Sequence, residues 1–451
     1  MSYGAKYEQP ISIGHDQKGE EVTWRYPDLN NFNGLFIGTS GSGKTHTIRN
    51  MLARVFSLGT TFHIIDVKGD FGYSNFETNG LSHLVGPDDV HDVTFSYFEG
   101  GSSLNPLQVP RTEEGGGVVM TIESCKSLVK NFNPNMGQKQ LGYLGEVLKA
   151  VYNDFGISHD DEKSWGLKPP TFQDVFDKMT VIYQSITSSL DSGSVGTIMA
   201  DIGKSKRKAI KLMRTLEDEE EADQESVRLE LHEESEMAAS RVASIVRIQL
   251  SYDNLHRNGT GEEWEHWSKD SIYGLRDTIG QMVESRLFTG AQSRTRDGKI
   301  NRYDLTMISP AHQQIMMRII SARVFAMGVM STKISGLYDP PFASHVLVTD
   351  EGKHVKEISK NPLAPVNRIA TEGRGFGLGV WMGVQQPDQV TQDLLRNISF
   401  YFVLKTPESS SKEMVRMFNV KPNQLKQLIF RENCLYSSSN PYVVVRQFSE
   451  D

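Results

Sequence analysis

The chain has 451 residues, enough for two or three domains or for one large domain that carries a sizeable insertion. Its hydrophobic fraction of 38% and charged fraction of 23% are ordinary for a globular protein. The net charge of -8 gives no overall attraction to nucleic acid or to an anionic membrane. Any contact with DNA would therefore need a local basic patch.

The two cysteines, Cys125 and Cys434, lie far apart and without metal-ligand spacing. This usage favours a reducing compartment and argues against a disulfide scaffold or a zinc site. The N-terminal segment MSYGAKYEQPISIG has no basic head followed by an apolar run, and no apolar run reaches the ~18 residues that a membrane span needs. We expect a cytoplasmic protein without membrane insertion.

Strand-like runs alternate with helical patterns or long insertions along the chain. This alternation is typical of an α/β fold in which a parallel sheet is covered on both faces. A later run, Tyr442 to Val445, is a candidate edge strand. The other predicted strands are Leu35 to Ile37, Phe62 to Asp66, Val93 to Phe98, Tyr303 to Ile308, His345 to Thr349, Leu378 to Val384 and Phe400 to Leu404.

The segment GTSGSGKT fits the pattern G-x-x-x-x-G-K-[ST] at every fixed position, between an apolar strand and a helical pattern. Its glycines let backbone N–H groups point at a β-phosphate, and the helix N-terminus adds positive charge. We predict that Lys44 bridges the β- and γ-phosphates of ATP and that the Thr45 hydroxyl holds Mg²⁺. The predicted nucleotide-binding residues are Gly38, Thr39, Ser40, Gly41, Ser42, Gly43, Lys44, Thr45 and His46.

The middle of the chain has a helical pattern. Apolar residues recur at helical spacing in QKQLGYLGEVLKAVY, and PPTFQDVFDKM is typical of a loop and a helix start. We predict an all-helical insertion domain at residues 136–285, which divides an ATPase core into residues 1–135 and 286–451.

Two charge runs lie within this insertion, the basic KSKRKAIKLMR and the acidic EDEEEADQESVRLELHEESE. They are typical of solvated helix faces that pair with each other. The alternative is that the acidic run docks a partner while basic residues contact phosphates, namely Lys204, Lys206, Arg207, Lys208 and Lys211. Further along, Arg294, Arg296 and Lys299 in TGAQSRTRDGK either line a DNA channel or belong to a surface hairpin.

The segment HVLVTDEGKH ends an apolar strand with two carboxylates. Parallel strands present such groups at the carboxyl edge of the sheet, where ligands bind. We predict that Asp350 holds Mg²⁺ and that Glu351 is the general base that activates water. The alternative is that the pair caps the following helix.

The segment TEGRGFGLGVWMGVQQPDQV places an arginine before an apolar strand and a glutamine after it. The amide of Gln385 can donate to a phosphate oxygen and accept from water, which suits a sensor of the γ-phosphate. Glycines flank Arg374, whose guanidinium suits the charge on a transferring phosphoryl group, often one held by a neighbouring subunit. The alternatives are a surface glutamine and a flexible loop.

These segments, with FHIIDVKGDF and SLNPLQ and in this order, resemble the HerA-FtsK superfamily of ring ATPases, and among them the HerA-like and type IV secretion members. The resemblance implies a RecA-like P-loop NTPase core, a homohexamer and pumping of double-stranded DNA. It assigns Lys44, Thr45, Asp350, Glu351 and Gln385 to the site, with Arg374 acting in trans. Asp66 and Asp70 match acidic positions near the nucleotide, and structural capping is an equal interpretation.

Some positions depart from the family pattern. Arginine is frequent in the family where Thr371 stands, and serine-glutamine-arginine is frequent at positions 384–386, where this chain has Val-Gln-Gln. Arg368 or Arg396 would then supply the trans arginine, or hydrolysis would be slow. The N-terminal β-barrel usual in HerA-like proteins is also not expected here.

Three functions fit these residues, of which a motor that moves protein or DNA across an envelope is the weakest, because no membrane segment is predicted. The first is a translocating ATPase that works with a nuclease or another effector, for example in anti-phage defence. The second is a regulatory ring that assembles and activates an effector without processive translocation.

Overall fold

A computed structural model describes residues 6–98, 100–109, 117–188, 204–205, 207–213, 227–228, 230–236, 239, 264, 267–290, 295–359, 364–438 and 442–447. These residues form two compact units. One combines residues 1–104 with 291–451, and the other spans residues 105–290. The helical unit therefore begins at residue 105 rather than at 136, since helix α3 (Gly117–Phe132) belongs to it.

An 11-stranded sheet organises the first unit, in the order β2-β1-β11-β10-β9-β3-β8-β7-β4-β6-β5. Strands β9, β3, β8, β7, β4, β6 and β5 are parallel, and β10, β11, β1 and β2 extend the sheet by antiparallel pairing. The strands are β1 (Ile11–Asp16), β2 (Glu21–Trp24), β3 (Gly34–Ile37), β4 (Thr61–Asp66), β5 (Val90–Thr94), β6 (Ile300–Asp304), β7 (His345–Thr349), β8 (Leu378–Val384), β9 (Phe400–Val403), β10 (Asn433–Ser437) and β11 (Val443–Gln447).

Helices connect the parallel strands. In the sheet unit these are α1 (Lys44–Phe56), α2 (Tyr73–Thr78), α7 (Pro310–Ser335), α8 (Gly352–Ile358), α9 (Pro365–Glu372), α10 (Gln392–Leu395), α11 (Ser411–Phe418) and α12 (Pro422–Lys426). The second unit contains α3, α4 (Gln138–Asp154), α5 (Phe172–Ser188) and α6 (Lys269–Glu284).

Most predicted strands are confirmed. Strands β7 and β8 have the predicted bounds, whereas β5 and β6 begin three residues before the predicted Val93 and Tyr303. The prediction of an edge strand at Tyr442 to Val445 is wrong, because β11 lies between β1 and β10. The sequence patterns did not indicate β1, β2 or β10, which pair in the antiparallel part of the sheet.

Both faces of the parallel sheet are covered. Phe36, Val348 and Trp381 belong to one buried cluster with Ile48 and Leu52 of α1. The alternate residues, which point to the opposite face, are buried too. Helix α7 packs closely on that face, because a Cβ on Gly328 would overlap the side chain of Leu378. This two-sided burial explains why β3, β7 and β8 are continuous apolar runs.

A buried asparagine joins three segments at the amino ends of the strands. The Asn33 side chain donates to the carbonyl oxygens of Ala370 (2.9 Å) and Asn397 (2.7 Å). Its Oδ1 accepts from the backbone N–H of Val380 at 3.0 Å. Asn33 therefore fixes the starts of β3, β8 and β9 relative to one another.

Helix α7 is the one helix among the described residues that is long and apolar enough to span a membrane, with a mean hydropathy of 1.3 over its best window. No helix of this kind was predicted from the sequence. Half of that window is buried inside the protein. Its contacts with β7, α8 and α9 are those of a core helix that covers a sheet.

In the helical unit, α5 and α6 pack side by side, and α4 lies against α3, α5 and α6. Cys125 in α3 is buried and free, and burial raises the pKa of its thiol to about 12. Cys434 in the sheet unit is also buried and forms no disulfide bond. Both side chains therefore act as small core residues.

Among the described residues, the basic and acidic runs of the helical unit contact each other at one place. Lys208 Nζ lies 2.7 Å from Glu234 Oε1 and 3.2 Å from Glu230 Oε1. These hydrogen bonds raise the pKa of Lys208. The contact favours pairing between the basic and acidic runs, while Lys206 and most of the acidic run lie outside the described residues.

A buried polar chain crosses the sheet between β4, β6 and β7. His63 Nε2 lies 3.2 Å from His345 Nδ1, and His63 Nδ1 lies 3.3 Å from the Tyr303 hydroxyl. Burial lowers the pKa of both histidines, and for His63 the neighbouring His345 lowers it further. Both rings are therefore neutral in the folded protein at pH 7.

These histidines predict a loss of stability in acid. The unfolded chain protonates them near the ordinary histidine pKa of 6.5, whereas the folded chain resists protonation. Their contribution is therefore complete above pH 6.5 and falls as the pH decreases toward the lowered pKa values, by at most about 1.4 kcal/mol per pH unit for each histidine. We expect His63→Gln to flatten the pH dependence of the thermal unfolding midpoint between pH 7 and 5. The control is His159→Gln at an exposed site, and an unchanged slope in His63→Gln would contradict the prediction.

Candidate functional site

The loop between β3 and α1 has the conformation that its glycines permit. Gly41 and Gly43 have φ values of +78° and +97°, which side chains with a Cβ rarely adopt. The loop is tied to neighbouring strands, because Gly38 N donates to Val384 O at 3.1 Å and Thr39 N donates to Lys405 O at 3.0 Å. Helix α1 then begins at Lys44, so its free N–H groups face the loop.

The predicted lysine, threonine and aspartate meet at this loop. Lys44 Nζ lies 3.5 Å from Asp350 Oδ1, and the Thr45 hydroxyl donates to Asp350 Oδ2. Burial raises the pKa of Asp350, and Lys44 and Thr45 offset part of this effect. The Oδ1 atom is buried and accepts no hydrogen bond. A carboxylate and a hydroxyl placed in this way fit the oxygen ligands that Mg²⁺ prefers.

Two glycines make room for this arrangement, and sequence reasoning missed both. A Cβ on Gly383, in β8, would overlap Asp350 Oδ1 and lie 2.9 Å from its Cα. A Cβ on Gly352 would overlap Gln389 Oε1. The Asp350 carboxylate therefore lies over a point of β8 that has no side chain.

Glu351 follows Asp350 and forms an ion pair with Lys68, whose Nζ lies 2.6 Å from Glu351 Oε2. Partial burial is the largest single effect and lowers the pKa of Lys68, but the hydrogen bond to Glu351 and the charges of Glu351, Asp350 and Asp70 together outweigh it, so the pKa is raised. Glu351 also precedes the first residue of α8, as the capping interpretation requires, but its side chain makes no cap hydrogen bond.

Asp66 has a structural environment. Its Oδ1 accepts the backbone N–H groups of residues 68, 69 and 70, at 3.2, 2.8 and 3.1 Å, and its Oδ2 accepts that of Phe71 at 3.0 Å. Arg302 Nε donates to the same Oδ2 at 2.7 Å. Of the two interpretations left open for Asp66, these contacts favour capping of the loop after β4.

Gln385 follows β8, which lies between β3 and β7 in the sheet. Its backbone N–H donates to Gln389 Oε1 at 2.7 Å, and Gln386 N–H donates to the same oxygen at 3.3 Å. The Gln389 amide thus shapes the turn that presents Gln385, and Gly352 leaves space for it. This position, between the phosphate loop and the acidic strand, is the one predicted for a sensor.

The three candidate trans arginines are not brought to the phosphate loop of their own chain. Arg374 and Arg368 precede β8, and Arg396 precedes β9, so all three lie toward the amino ends of parallel strands. The seven residues of β8 separate Arg374 from Gln385, which is about 20 Å at the usual rise of a strand.

Each of these arginines has partners. Arg374 Nε donates to Asp339 Oδ1 at 3.1 Å, and its Nη1 donates to the carbonyl oxygens of residues 29 and 30. Arg368 pairs with Glu372 at 2.9 Å and stacks on Phe325. Arg396 is the most exposed, at 78%, and lies 3.8 Å from Asp393.

A further arginine lies beside the phosphate loop. Arg431 Nε donates to Gly41 O at 3.2 Å, and its backbone N–H donates to Ser42 O at 3.3 Å. Its φ of +62° is unusual for a residue with a Cβ. Burial lowers the pKa of His46, and the charges of Arg49 and Arg431 lower it further. Nothing in the sequence around Arg431 connects it to GTSGSGKT, so sequence reasoning missed it.

One of the candidate channel residues has an internal partner. Lys299 Nζ lies 2.8 Å from Asp89 Oδ1, and this contact lowers the pKa of Asp89. Arg294 lies outside the described residues. The Lys299 pair reduces the case for a role in binding DNA phosphates.

Comparisons with known proteins bear on the fold of this chain and on residues 27–108. Residues 27–108 match a family model described as the type IV secretion-system coupling protein DNA-binding domain. The structure of VirB4 of Thermoanaerobacter pseudethanolicus aligns with 98% of this chain and 96% of that chain, with a TM-score of 0.60 and 13% identity. The genome packaging NTPase B204 from Sulfolobus turreted icosahedral virus 2, in complex with AMP, aligns with 34% of this chain and 69% of that chain, with a TM-score of 0.26 and 13% identity. No curated protein sequence matches the chain.

The fold class is confirmed as α/β with a RecA-like P-loop NTPase core, a mostly parallel sheet and an inserted helical region. The match of residues 27–108 to the coupling-protein family model bears out the resemblance to type IV secretion proteins, and the alignment with VirB4 shows the shared fold.

The space above Gly383 can be tested directly. We expect Gly383→Ala to push the Asp350 carboxylate away from Thr45, weaken ATP binding in the presence of Mg²⁺ and lower the free energy of unfolding by about 1–3 kcal/mol. The measurements are thermal unfolding and titration with a fluorescent ATP analogue. Gly142→Ala is the control, since a Cβ there meets nothing within 4 Å. Unchanged binding and stability in Gly383→Ala would contradict the prediction.

Proposed function

We propose that this chain is an ATP-hydrolysing motor that works as a homohexameric ring, translocates double-stranded DNA and acts with a nuclease or another effector, with anti-phage defence as one setting. The observation that carries the proposal is the meeting of Lys44, Thr45 and Asp350 at the phosphate loop, with Glu351 next in the chain. The family model that matches residues 27–108 is described by DNA binding, which supports DNA as the polymer.

Each residue has a distinct task in this proposal. The phosphate loop, residues 38–46, binds the phosphates through those of its backbone N–H groups that are not bonded within the protein, and Lys44 contacts the β- and γ-phosphate oxygens. Thr45 and Asp350 would hold Mg²⁺, which supplies positive charge at those oxygens when bound. Glu351 accepts a proton from the attacking water, and the Gln385 amide contacts the γ-phosphate or that water.

The ring explains the separation of Arg374 from the phosphate loop. A guanidinium that lies toward the amino ends of the strands cannot serve the site at their carboxyl ends in the same chain. In a head-to-tail ring it faces the site of the next subunit, where it would stabilise charge on the transferring phosphoryl group. Arg374 would first have to leave Asp339 and the two carbonyl oxygens that hold it.

The contacts that hold Arg374 within its own chain support a second candidate function, that of a regulatory ring. If Arg374 stays in place, hydrolysis is slow and the ring serves to assemble and activate an effector. A turnover rate that duplex DNA does not change, together with nucleotide-dependent binding of a nuclease or another effector protein, would favour this function over translocation.

The assignment of Glu351 as the general base can be tested by substitution. We expect Glu351→Gln to retain ATP binding and to lower the ATP turnover rate by about 10²- to 10⁴-fold, because the amide cannot accept a proton from water. The wild-type rate should rise when duplex DNA is added. Turnover by radioactive phosphate release and binding by filter retention are the measurements. A Glu351→Gln protein with the wild-type rate would contradict the assignment.

The trans arginine gives another test. We expect Arg374→Ala and Lys44→Ala to be inactive separately and to regain part of the activity when mixed, because mixed rings contain interfaces where intact Lys44 faces intact Arg374. Loss of such an arginine typically costs about 10³- to 10⁵-fold in rate. Arg368→Ala and Arg396→Ala serve as matched variants and should remain active. No recovery on mixing, or inactivity of Arg396→Ala instead, would contradict the assignment to Arg374.

A further inference from the structure

The ion pair between Lys68 and Glu351 lies at the centre of the proposed catalytic site. The ammonium Nζ is 2.6 Å from Oε2 of the carboxylate. The Glu351 side chain is 16% exposed, while the Lys68 side chain is 48% exposed. The carboxylate is therefore mostly enclosed, and its partner approaches it from the solvent side.

The backbone that carries Lys68 is firmly held. Asp66 accepts four successive N–H groups of the loop, beginning with that of Lys68. Arg302 fixes Asp66 and is itself held by Asp92 and Asp304, each at 3.0 Å. The loop thus places Lys68 within reach of Glu351, and a freely moving surface lysine would not have this support.

This contact conflicts with the task of a general base. The ammonium group occupies one carboxylate oxygen and fixes the direction in which the Glu351 side chain points, so the carboxylate cannot turn toward an attacking water while the pair persists. We propose that Lys68 is a positioning residue that restrains Glu351 in a resting orientation, and that hydrolysis requires this pair to separate. The inference rests on the proposed function, in which Glu351 is the base.

The exposure of Lys68 determines how much the ATP turnover rate should change when the ion pair with Glu351 is removed. A half-exposed ion pair is screened by solvent and is weaker than a buried one. Its loss should therefore raise the population of free Glu351 only modestly, by roughly two- to fivefold. An increase in turnover is the distinguishing sign, since damage to the fold or to nucleotide binding would lower it.

The experiment compares Lys68→Met with Lys68→Arg, which keeps the pair, by ATP turnover of the full chain without DNA. We expect Lys68→Met to raise kcat roughly two- to fivefold with an unchanged KM, and Lys68→Arg to behave as the wild type. Lys68→Gln repeats the test with a polar side chain if the methionine variant does not fold. Lys149→Met removes an exposed lysine from another ion pair, with Glu146, and should have no effect.

The outcomes separate this inference from the proposed function. If the wild type hydrolyses ATP, Glu351→Gln does not, and Lys68→Met shows an unchanged or reduced kcat, the restraint is wrong and the proposed function stands. If Glu351→Gln retains the wild-type rate, the assignment of the base is wrong and the restraint is overturned with it. A double variant, Lys68→Met with Glu351→Gln, should be as slow as Glu351→Gln alone.

Discussion

The contact of Asp350 with Lys44 and Thr45 is the constraint on which the rest of the site depends. The phosphate loop follows β3 and the aspartate follows β7, but these strands are not neighbours, because β8 lies between them. The carboxylate must therefore reach across β8. It does so above Gly383, where a methyl group would already overlap Asp350 Oδ1. The order of the strands and one missing side chain thus decide whether the site can form.

Features with a local cause could be predicted from the sequence. The phosphate loop needs glycines at positions with positive φ, and β7 and β8 need unbroken apolar runs because both faces of the sheet are covered. Each of these requirements can be recognised in the sequence within a few neighbouring residues. For the same reason, the acidic pair lies directly after β7 and the glutamine directly after β8, as the sequence predicted. Their chemical roles stay predictions.

Features that depend on distant partners could not be predicted. Arg431 contacts the phosphate loop from a turn far along the chain, and β1 and β2 are short strands that pair in the antiparallel part of the sheet. The prediction of β11 as an edge strand failed because β1, from the other end of the chain, covers its free side. The start of the helical unit was misplaced because α3 has the pattern of an ordinary core helix, which does not indicate the unit to which it belongs.

Asn33 has a mechanical consequence. Its three side-chain hydrogen bonds fasten the start of β8 to the starts of β3 and β9, while Gln385 stands at the far end of β8. A strand hydrogen-bonded on both sides is stiff along its length. In the proposed ring, a displacement of Arg374 by one neighbouring subunit would be transmitted along β8 to Gln385, which faces the opposite neighbour. Hydrolysis in successive subunits would then be coupled through β8.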